Sequence, residues 1–285
     1  MFTLKKLIQY YQIFCNLSLD VVGGVFCSAF ALAHVFKLNA PMAWYLALPL
    51  GTWLIYLADH LVDVKRTHQD FPTPRHQFIK LHFKRIIVLS VLIGVAILFI
   101  TLLFWNSALV MCGAIMLLVI LLHLAITRAN PQGKNLFNNK ELSVASIYAA
   151  CIFIYPLHLT MHSNMWLIMG SFFLLFLLIT YQNLLLCSII EFDIDEQMNN
   201  TSFIRTIGLK QGKIVWWTLT SLALLAVLVL HFYIQPTHLN LLWCYVLIIL
   251  GNCLIYLNAP QLQKHLLYRK LAELLFWLPI VSTLF

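Results

Sequence analysis

Charged side chains are scarce in this sequence. Only 10% of its 285 residues are charged and 62% are hydrophobic, with a mean hydropathy of +0.88. A soluble globular domain averages about a quarter charged residues, so this chain has too few to cover a water-facing surface. The longest polar stretch, residues 59–85, is shorter than an ordinary domain. The composition excludes a separate soluble domain and predicts a single membrane domain over residues 1–285.

Recognisable cysteine and nucleic-acid motifs are also missing. The seven cysteines are scattered, lie mostly inside apolar runs and form no CxxC pair. They are interpreted as small membrane-buried side chains rather than as disulfide or zinc cysteines. The formal net charge is +8, but no basic domain or known binding motif accompanies it, so a nucleic-acid partner is excluded.

What the sequence does contain is a series of long apolar runs. A membrane-spanning segment needs about 20 apolar residues, and backbone hydrogen bonding in lipid makes such segments helical. The runs therefore predict an all-α fold with nine transmembrane helices. The first run is interpreted as a span, because it is too long for a cleaved signal and lacks a small-residue cleavage site. The predicted spans are residues 13–36, 42–58, 86–104, 108–127, 142–160, 166–189, 214–232, 240–258 and 271–285.

The basic residues predict the orientation of these spans. All of the 18 Lys and Arg residues except Lys37 fall in the N-terminus or in the loops after spans 2, 4, 6 and 8. Lys and Arg collect on the cytoplasmic side of membrane proteins. The pattern predicts a multi-pass integral membrane protein with a cytoplasmic N-terminus, in the inner or plasma membrane if the source is bacterial. The positive charge is also suited to attract anionic lipid or a phosphorylated substrate.

The few acidic residues gather in two of those predicted cytoplasmic segments. Asp59 and Asp63 follow span 2, and Glu191 and Asp195 follow span 6. Each pair is spaced i, i+4, which places both carboxylates on one helical face. Mg²⁺ is usually held by one or two carboxylates together with substrate phosphates, so the two pairs are interpreted as Mg²⁺ ligands rather than as solvated loop residues. The candidate cations for the phosphate charge are Arg66, Arg75, Lys140 and Arg205.

Three further residues are candidates for a role in catalysis. Asp20 lies inside span 1, where an ionisable side chain indicates either a functional site or a buried ion pair. Asn183 repeats in register with Glu191 and Asp195, and faces either the same site or a neighbouring helix through a hydrogen bond. Tyr56 shares the face of Asp59 and Asp63, as a diphosphate contact or as an interfacial anchor.

Histidines crowd the segment after span 2. His60, His68, His76 and His82 lie there, but they do not show the ligand spacing of a tetrahedral zinc site. They are interpreted as mostly interfacial, with His76, next to Arg75, a further candidate for phosphate contact.

The acidic motifs resemble those of the UbiA superfamily of intramembrane prenyltransferases. In "IYLADHLVD", Asp59 and Asp63 match the last two aspartates of the family's NDxxDxxxD motif, while Ile55 and Tyr56 replace its leading Asn and Asp. In "EFDIDEQMNNTS", Glu191 and Asp195 match the outer acids of the second motif and Ser202 its serine, with Thr201 in place of lysine.

The resemblance implies a nine-helix UbiA-like bundle with a central cavity and a magnesium-dependent prenyl transfer. Mg²⁺ at Asp59, Asp63, Glu191 and Asp195 is then expected to stabilise the departing diphosphate. The implied partners are a prenyl diphosphate, a small-molecule acceptor and membrane lipid. Two alternatives stay open: a UbiA-like lipid-binding protein that has lost catalysis, and a transporter that uses the acidic clusters as a cation site.

Overall fold

The protein is helical throughout the part of the chain that the computed structural model describes, which comprises residues 4–66, 74–129, 139–197 and 202–284. Helix accounts for 90% of the structure, and these residues include no strand. Seven of the described helices are long and apolar enough to cross a membrane, or eight if one bent pair of helices counts as a single span. The prediction of an all-α, multi-pass membrane protein is confirmed at this level, whereas the count of nine is not.

The chain divides into two compact units, of which the first comprises Met1–Cys27 and Ala40–Asn106. Its core forms where Leu57 and Ile79, both fully buried, meet Ile86 and Ile93. These residues fix the end of the third helix against the two helices that follow it. The helices of this unit are α1 (Leu4–Asn16), the first part of α2 (Leu19–Val35), α3 (Met42–Arg66), α4 (Pro74–Leu81) and α5 (Phe83–Leu103).

The first predicted span, residues 13–36, is broken rather than straight. α1 and α2 meet at an angle of 72°, and Ser18 at the break adopts a positive φ of 59°. A broken helix exposes carbonyl groups that need new partners in an apolar setting. Trp53 Nε1 donates to the Leu17 carbonyl over 2.8 Å, and Arg75 donates to the Cys15 carbonyl over 2.9 Å. Side chains of α3 and α4 thus stabilise the break.

The second unit comprises Ser28–Asn39 and Ser107–Phe285. Its α8 is the most deeply buried of the candidate spans. α8 carries apolar side chains on all of its faces, which is typical of a helix in the middle of a bundle. The helices of this unit are the end of α2, α6 (Ser107–Ala129), α7 (Lys140–Thr160), α8 (Met165–Ile190), α9 (Phe192–Gln197), α10 (Phe203–Ile207), α11 (Leu209–Tyr233), α12 (Pro236–Leu257), α13 (Ala259–Leu262) and α14 (Leu267–Leu275).

The ninth predicted span, residues 271–285, is not a long helix. α14 ends at Leu275, and a 3₁₀ helix covers Leu278–Leu284. Pro279 lacks the amide hydrogen that an α-helix requires, and the Ser282 hydroxyl donates to the Pro279 carbonyl over 2.7 Å. These local bonds replace the continuous hydrogen-bond ladder that a spanning helix would have.

Candidate functional site

A cluster of polar side chains lies in the first unit, around the break between α1 and α2, the end of α3 and the start of α4. We call it the α3–α4 cluster. It unites four predicted site residues with a serine and two histidines: Ser18, Asp20, Tyr56, His60, Asp63, Arg75 and His76.

Asp20 and Arg75, predicted to act in catalysis and in diphosphate binding, form an ion pair. Arg75 Nη2 lies 3.7 Å from Asp20 Oδ2, and the Asp20 side chain is only 1% exposed. The Val21 amide also donates to Asp20 Oδ1 over 3.1 Å. A buried charge is expensive unless it is paired, and Arg75 supplies such a partner for Asp20. The pair holds α4 against the start of α2.

Two imidazoles lie beside Asp63. His76 Nε2 is 3.7 Å from Asp63 Oδ2, and the rings of His60 and His76 meet edge to face with centroids 5.4 Å apart. One potential ligand atom from each of the three residues lies within 4.8 Å of the other two. His60 is buried, whereas the Asp63 side chain is 48% exposed. The group therefore combines a fixed interior imidazole with a carboxylate open to the surroundings.

Three more predicted residues lie on α3, of which Tyr56 belongs to the cluster. Asp59 is exposed and shares a face with Asp63, one helical turn away, as the spacing predicted. The half-buried Tyr56 places its ring centroid 6.3 Å from that of His60. The side chain of Arg66 lies outside the described part of the chain. The carboxylates thus lie at the open end of the helix, and Tyr56 lies nearer the buried side.

In the second unit, Glu191 is held by two residues of α14. The Tyr268 hydroxyl donates to Glu191 Oε1 over 2.6 Å, and Arg269 Nε lies 3.6 Å from the same oxygen. The carboxylate of Glu191 raises the pKa of Arg269 above its usual range. Burial, reinforced by Glu191, raises the pKa of Tyr268. Both α14 groups consequently stay protonated beside Glu191, and the sequence-based site list omitted both.

Three more predicted site residues lie in the second unit: Lys140, Asp195 and Arg205. Arg205 Nη1 donates to the backbone carbonyl of Asp195 over 3.2 Å, and the Asp195 amide donates to the Glu191 carbonyl over 2.8 Å. Lys140, predicted to bind phosphate, is the exposed first residue of α7. Arg205 is therefore positioned to order the acidic segment after α8.

Glu141 is a further acid that the site prediction missed. Although only 7% exposed, it accepts a hydrogen bond from the Ser188 hydroxyl over 2.9 Å. It also accepts from the Phe203 amide at the start of α10, over 3.0 Å to one oxygen and 3.1 Å to the other. The sequence did contain a signal for this residue, because Glu141 is one of few acids and stands at the start of an apolar run. Glu141 ties α7 to α8 and α10.

Asn183 lies within a network of amide side chains. Its Nδ2 donates to Asn252 Oδ1 over 3.0 Å and to the Ala272 carbonyl over 3.2 Å. Asn252 Nδ2 donates in turn to Gln182 Oε1 over 3.1 Å, and Gln182 donates to the Thr220 hydroxyl over 2.7 Å. The network joins α8 to α11, α12 and α14, so these bonds position helices.

The donor chemistry of the predicted acids fits Mg²⁺, which prefers carboxylate oxygens and retained waters. Asp59 and Asp63 offer such oxygens from the exposed end of α3. At Glu191 a metal ion has to compete with Arg269 and Tyr268. His60 and His76 add nitrogen donors, which Mg²⁺ uses less readily.

Comparison with known proteins identifies no relative. No protein-family profile, no curated protein and no solved structure matches the chain.

Proposed function

We propose that this protein is an intramembrane prenyltransferase, which ionises a prenyl diphosphate and transfers the prenyl group to a small-molecule acceptor. The observation that carries the proposal is the α3–α4 cluster, where α4 brings basic side chains to one acid of α2 and one acid near the end of α3. Asp63 lies beside His76 and Asp20 beside Arg75. Carboxylates that suit a divalent metal, next to cations, within a multi-pass apolar chain are what a lipid diphosphate requires.

In this proposal, Asp59 and Asp63 of the first motif and Glu191 and Asp195 of the second hold Mg²⁺. Magnesium supplies the charge that stabilises the departing diphosphate. Arg66, Lys140 and Arg205 balance the remaining phosphate charge, and Tyr56 contacts the diphosphate. Asp20, paired with Arg75, and Asn183 orient the site.

The test is diphosphate release by the purified protein in lipid nanodiscs. Geranyl, farnesyl and geranylgeranyl diphosphate are supplied in turn, with Mg²⁺ or with EDTA. Without an acceptor, water attacks the allylic carbon as its bond to oxygen breaks, which gives a prenyl alcohol, diphosphate and a proton. We expect release only with Mg²⁺.

Two matched variants locate the activity. Asp63→Asn keeps the shape of the side chain but removes the charge that attracts the metal, so release should fall by about 100-fold or more. Asp193→Asn changes an exposed acid of α9 that is not a proposed ligand, and release should stay within about twofold. Release that is independent of Mg²⁺, or equal in the two variants, would contradict the proposal.

A second candidate is a UbiA-like lipid-binding protein without catalysis. The observation that favours it is the engagement of Glu191 by Tyr268 and Arg269, because a carboxylate with two firm partners can serve purely as a structural link. This candidate predicts that the folded protein retains prenyl diphosphate in a filter-binding assay but releases no diphosphate. Solute uptake into liposomes, without release, would instead indicate the transporter.

A further inference from the structure

The α3–α4 cluster contains a set of metal donors that shares Asp63 with the carboxylate pairs of the proposed function but adds two imidazoles. His60 and Asp63 lie about one turn apart on α3, and His76 lies near the start of α4. Their potential ligand atoms are all within 4.8 Å of one another. A tetrahedral ion with ligand bonds of about 2.0–2.1 Å has ligand atoms about 3.3 Å apart. The 3.7 Å between His76 Nε2 and Asp63 Oδ2 is already close to that separation.

From this geometry we infer that His60, Asp63 and His76 bind one divalent transition-metal ion of the Zn²⁺, Mn²⁺ or Fe²⁺ class. Two imidazoles and one carboxylate are a donor set that such ions accept, whereas Mg²⁺ and Ca²⁺ prefer oxygen ligands alone. The inference goes beyond the proposed function, because it concerns a different class of ion and needs no prenyl diphosphate.

The surroundings hold these donors in place. Leu57 and Ile79 are fully buried and fix α3 against α4. The Ser18 hydroxyl lies 3.3 Å from His60 Nε2, and such neighbours orient the histidines of metal sites. Donor atoms that lie within 4.8 Å of one another then need to approach by at most about 1.5 Å for an ion to bind.

The site is expected to be open rather than closed. Three protein ligands leave at least one coordination position for water or another molecule, as in catalytic metal sites, whereas structural sites use four. The Asp63 side chain is 48% exposed and that of His76 21%. An exchangeable ligand therefore has access to the ion.

Metal binding is tested on the full-length protein in detergent, purified with an affinity tag that contains no histidine. After EDTA treatment, Zn²⁺ is titrated against a chromophoric chelator, and the bound metal is counted by mass spectrometry. We expect one tight Zn²⁺ site per chain that a large excess of Mg²⁺ does not displace. No prenyl diphosphate is present, so the result is independent of prenyl transfer.

Three variants assign the ligands. His76→Gln and His60→Asn should each weaken Zn²⁺ binding by about tenfold or more. His82→Asn should leave binding unchanged, because His82 lies just beyond α4 with its Nδ1 3.0 Å from the Phe78 carbonyl, outside the donor set. His76 is partly exposed, so His76→Gln is expected to fold and decides the question if His60→Asn does not.

The site would be refuted if the wild type bound Zn²⁺ no more tightly than His76→Gln, or if Mg²⁺ displaced the ion. A wild-type protein that binds no Zn²⁺ tightly but still releases diphosphate with Mg²⁺ would overturn the transition-metal site alone. Tight Zn²⁺ binding by a protein that releases no diphosphate would support the site and overturn the proposed function.

Discussion

In the first unit, the Asp63 side chain is half-exposed and lies beside two imidazoles. In the second unit, Glu191 is instead in contact with the Tyr268 hydroxyl and the Arg269 guanidinium. Both acids were predicted from the same i, i+4 spacing. Their environments differ because α4 presents histidines to α3 while α14 presents a charged and a hydroxyl donor to the end of α8. The spacing of carboxylates thus predicts a shared helical face, but neighbouring elements decide whether that face is open to a ligand.

Substitutions at the two acids should destabilise the protein to very different extents, and the loss at Glu191 is the largest effect expected on stability. Glu191→Gln removes the charge that pairs with Arg269, and it should lower the free energy of unfolding by about 2 kcal/mol after allowance for the exposed third of the Arg269 side chain. Asp63→Asn should lower it by less than about 0.5 kcal/mol, since the Asp63 side chain is 48% exposed and lies 3.7 Å from a partly exposed histidine.

Chemical denaturation in mixed micelles, followed by circular dichroism, measures both changes. Equal losses of stability in the two variants would contradict the difference between the environments of Glu191 and Asp63.

The amide network of the second unit should contribute a somewhat smaller amount. Asn252 is fully buried and bonds both Asn183 and Gln182, so Asn252→Leu leaves two buried amides without that partner. We expect a loss of about 1–2 kcal/mol. Asn164→Leu changes an exposed residue with no capping bond and should lie within about 0.5 kcal/mol of wild type in the same assay. Similar values for both variants would show that the network does not stabilise α8.

Close packing of α10 on α11 gives the next effect. A Cβ atom at Gly212 would lie 2.7 Å from Cδ1 and 3.0 Å from Cγ2 of the fully buried Ile204, whereas one at Gly170 would meet nothing within 4 Å. Gly212→Ala should therefore be about 1–2 kcal/mol less stable than Gly170→Ala, which gains helix propensity without a clash. Thermal unfolding in detergent compares them, and an equal melting temperature would contradict the tight contact.

The smallest effect concerns alkaline pH. Burial and Glu191 raise the pKa of Tyr268 in the folded protein, so Tyr268 ionises more easily when the chain is unfolded. The stability linked to this proton is fully present below the unfolded pKa of about 10 and decreases as the pH rises above it, with a slope of at most about 1.4 kcal/mol per pH unit. Tyr268→Phe should flatten the slope between about pH 10 and 11 relative to wild type. An unchanged slope would mean that folding does not raise the pKa of Tyr268.

The sequence predicted the long helices well where an apolar run had a polar residue or proline at each end. α5, α6, α7, α8, α11 and α12 all fall on predicted spans. The break before α2 was not predictable in this way, because residues 13–36 contain no proline and the turn depends on bonds from Trp53 and Arg75. The helix α4 was missed within a stretch that composition marked only as polar.

The candidate site was predictable residue by residue but not in its contacts. The shared helical face of Asp59 and Asp63 followed from their spacing, and one of two interpretations left open for Asp20 was a basic partner, which is Arg75. The histidines were set aside because zinc spacings are defined along the chain, whereas His60 and His76 come together only through the packing of α4 on α3. The α14 partners of Glu191 likewise depend on tertiary structure alone.

The most direct measurement is the rate of Mg²⁺-dependent diphosphate release by Asp63→Asn and Glu191→Gln, each normalised to the amount of folded protein. Both rates should fall by about 100-fold or more, although only Glu191→Gln loses appreciable stability. A folded wild type that releases no diphosphate from any of the three prenyl substrates, or an Asp63→Asn variant that releases it at the wild-type rate, would contradict the account.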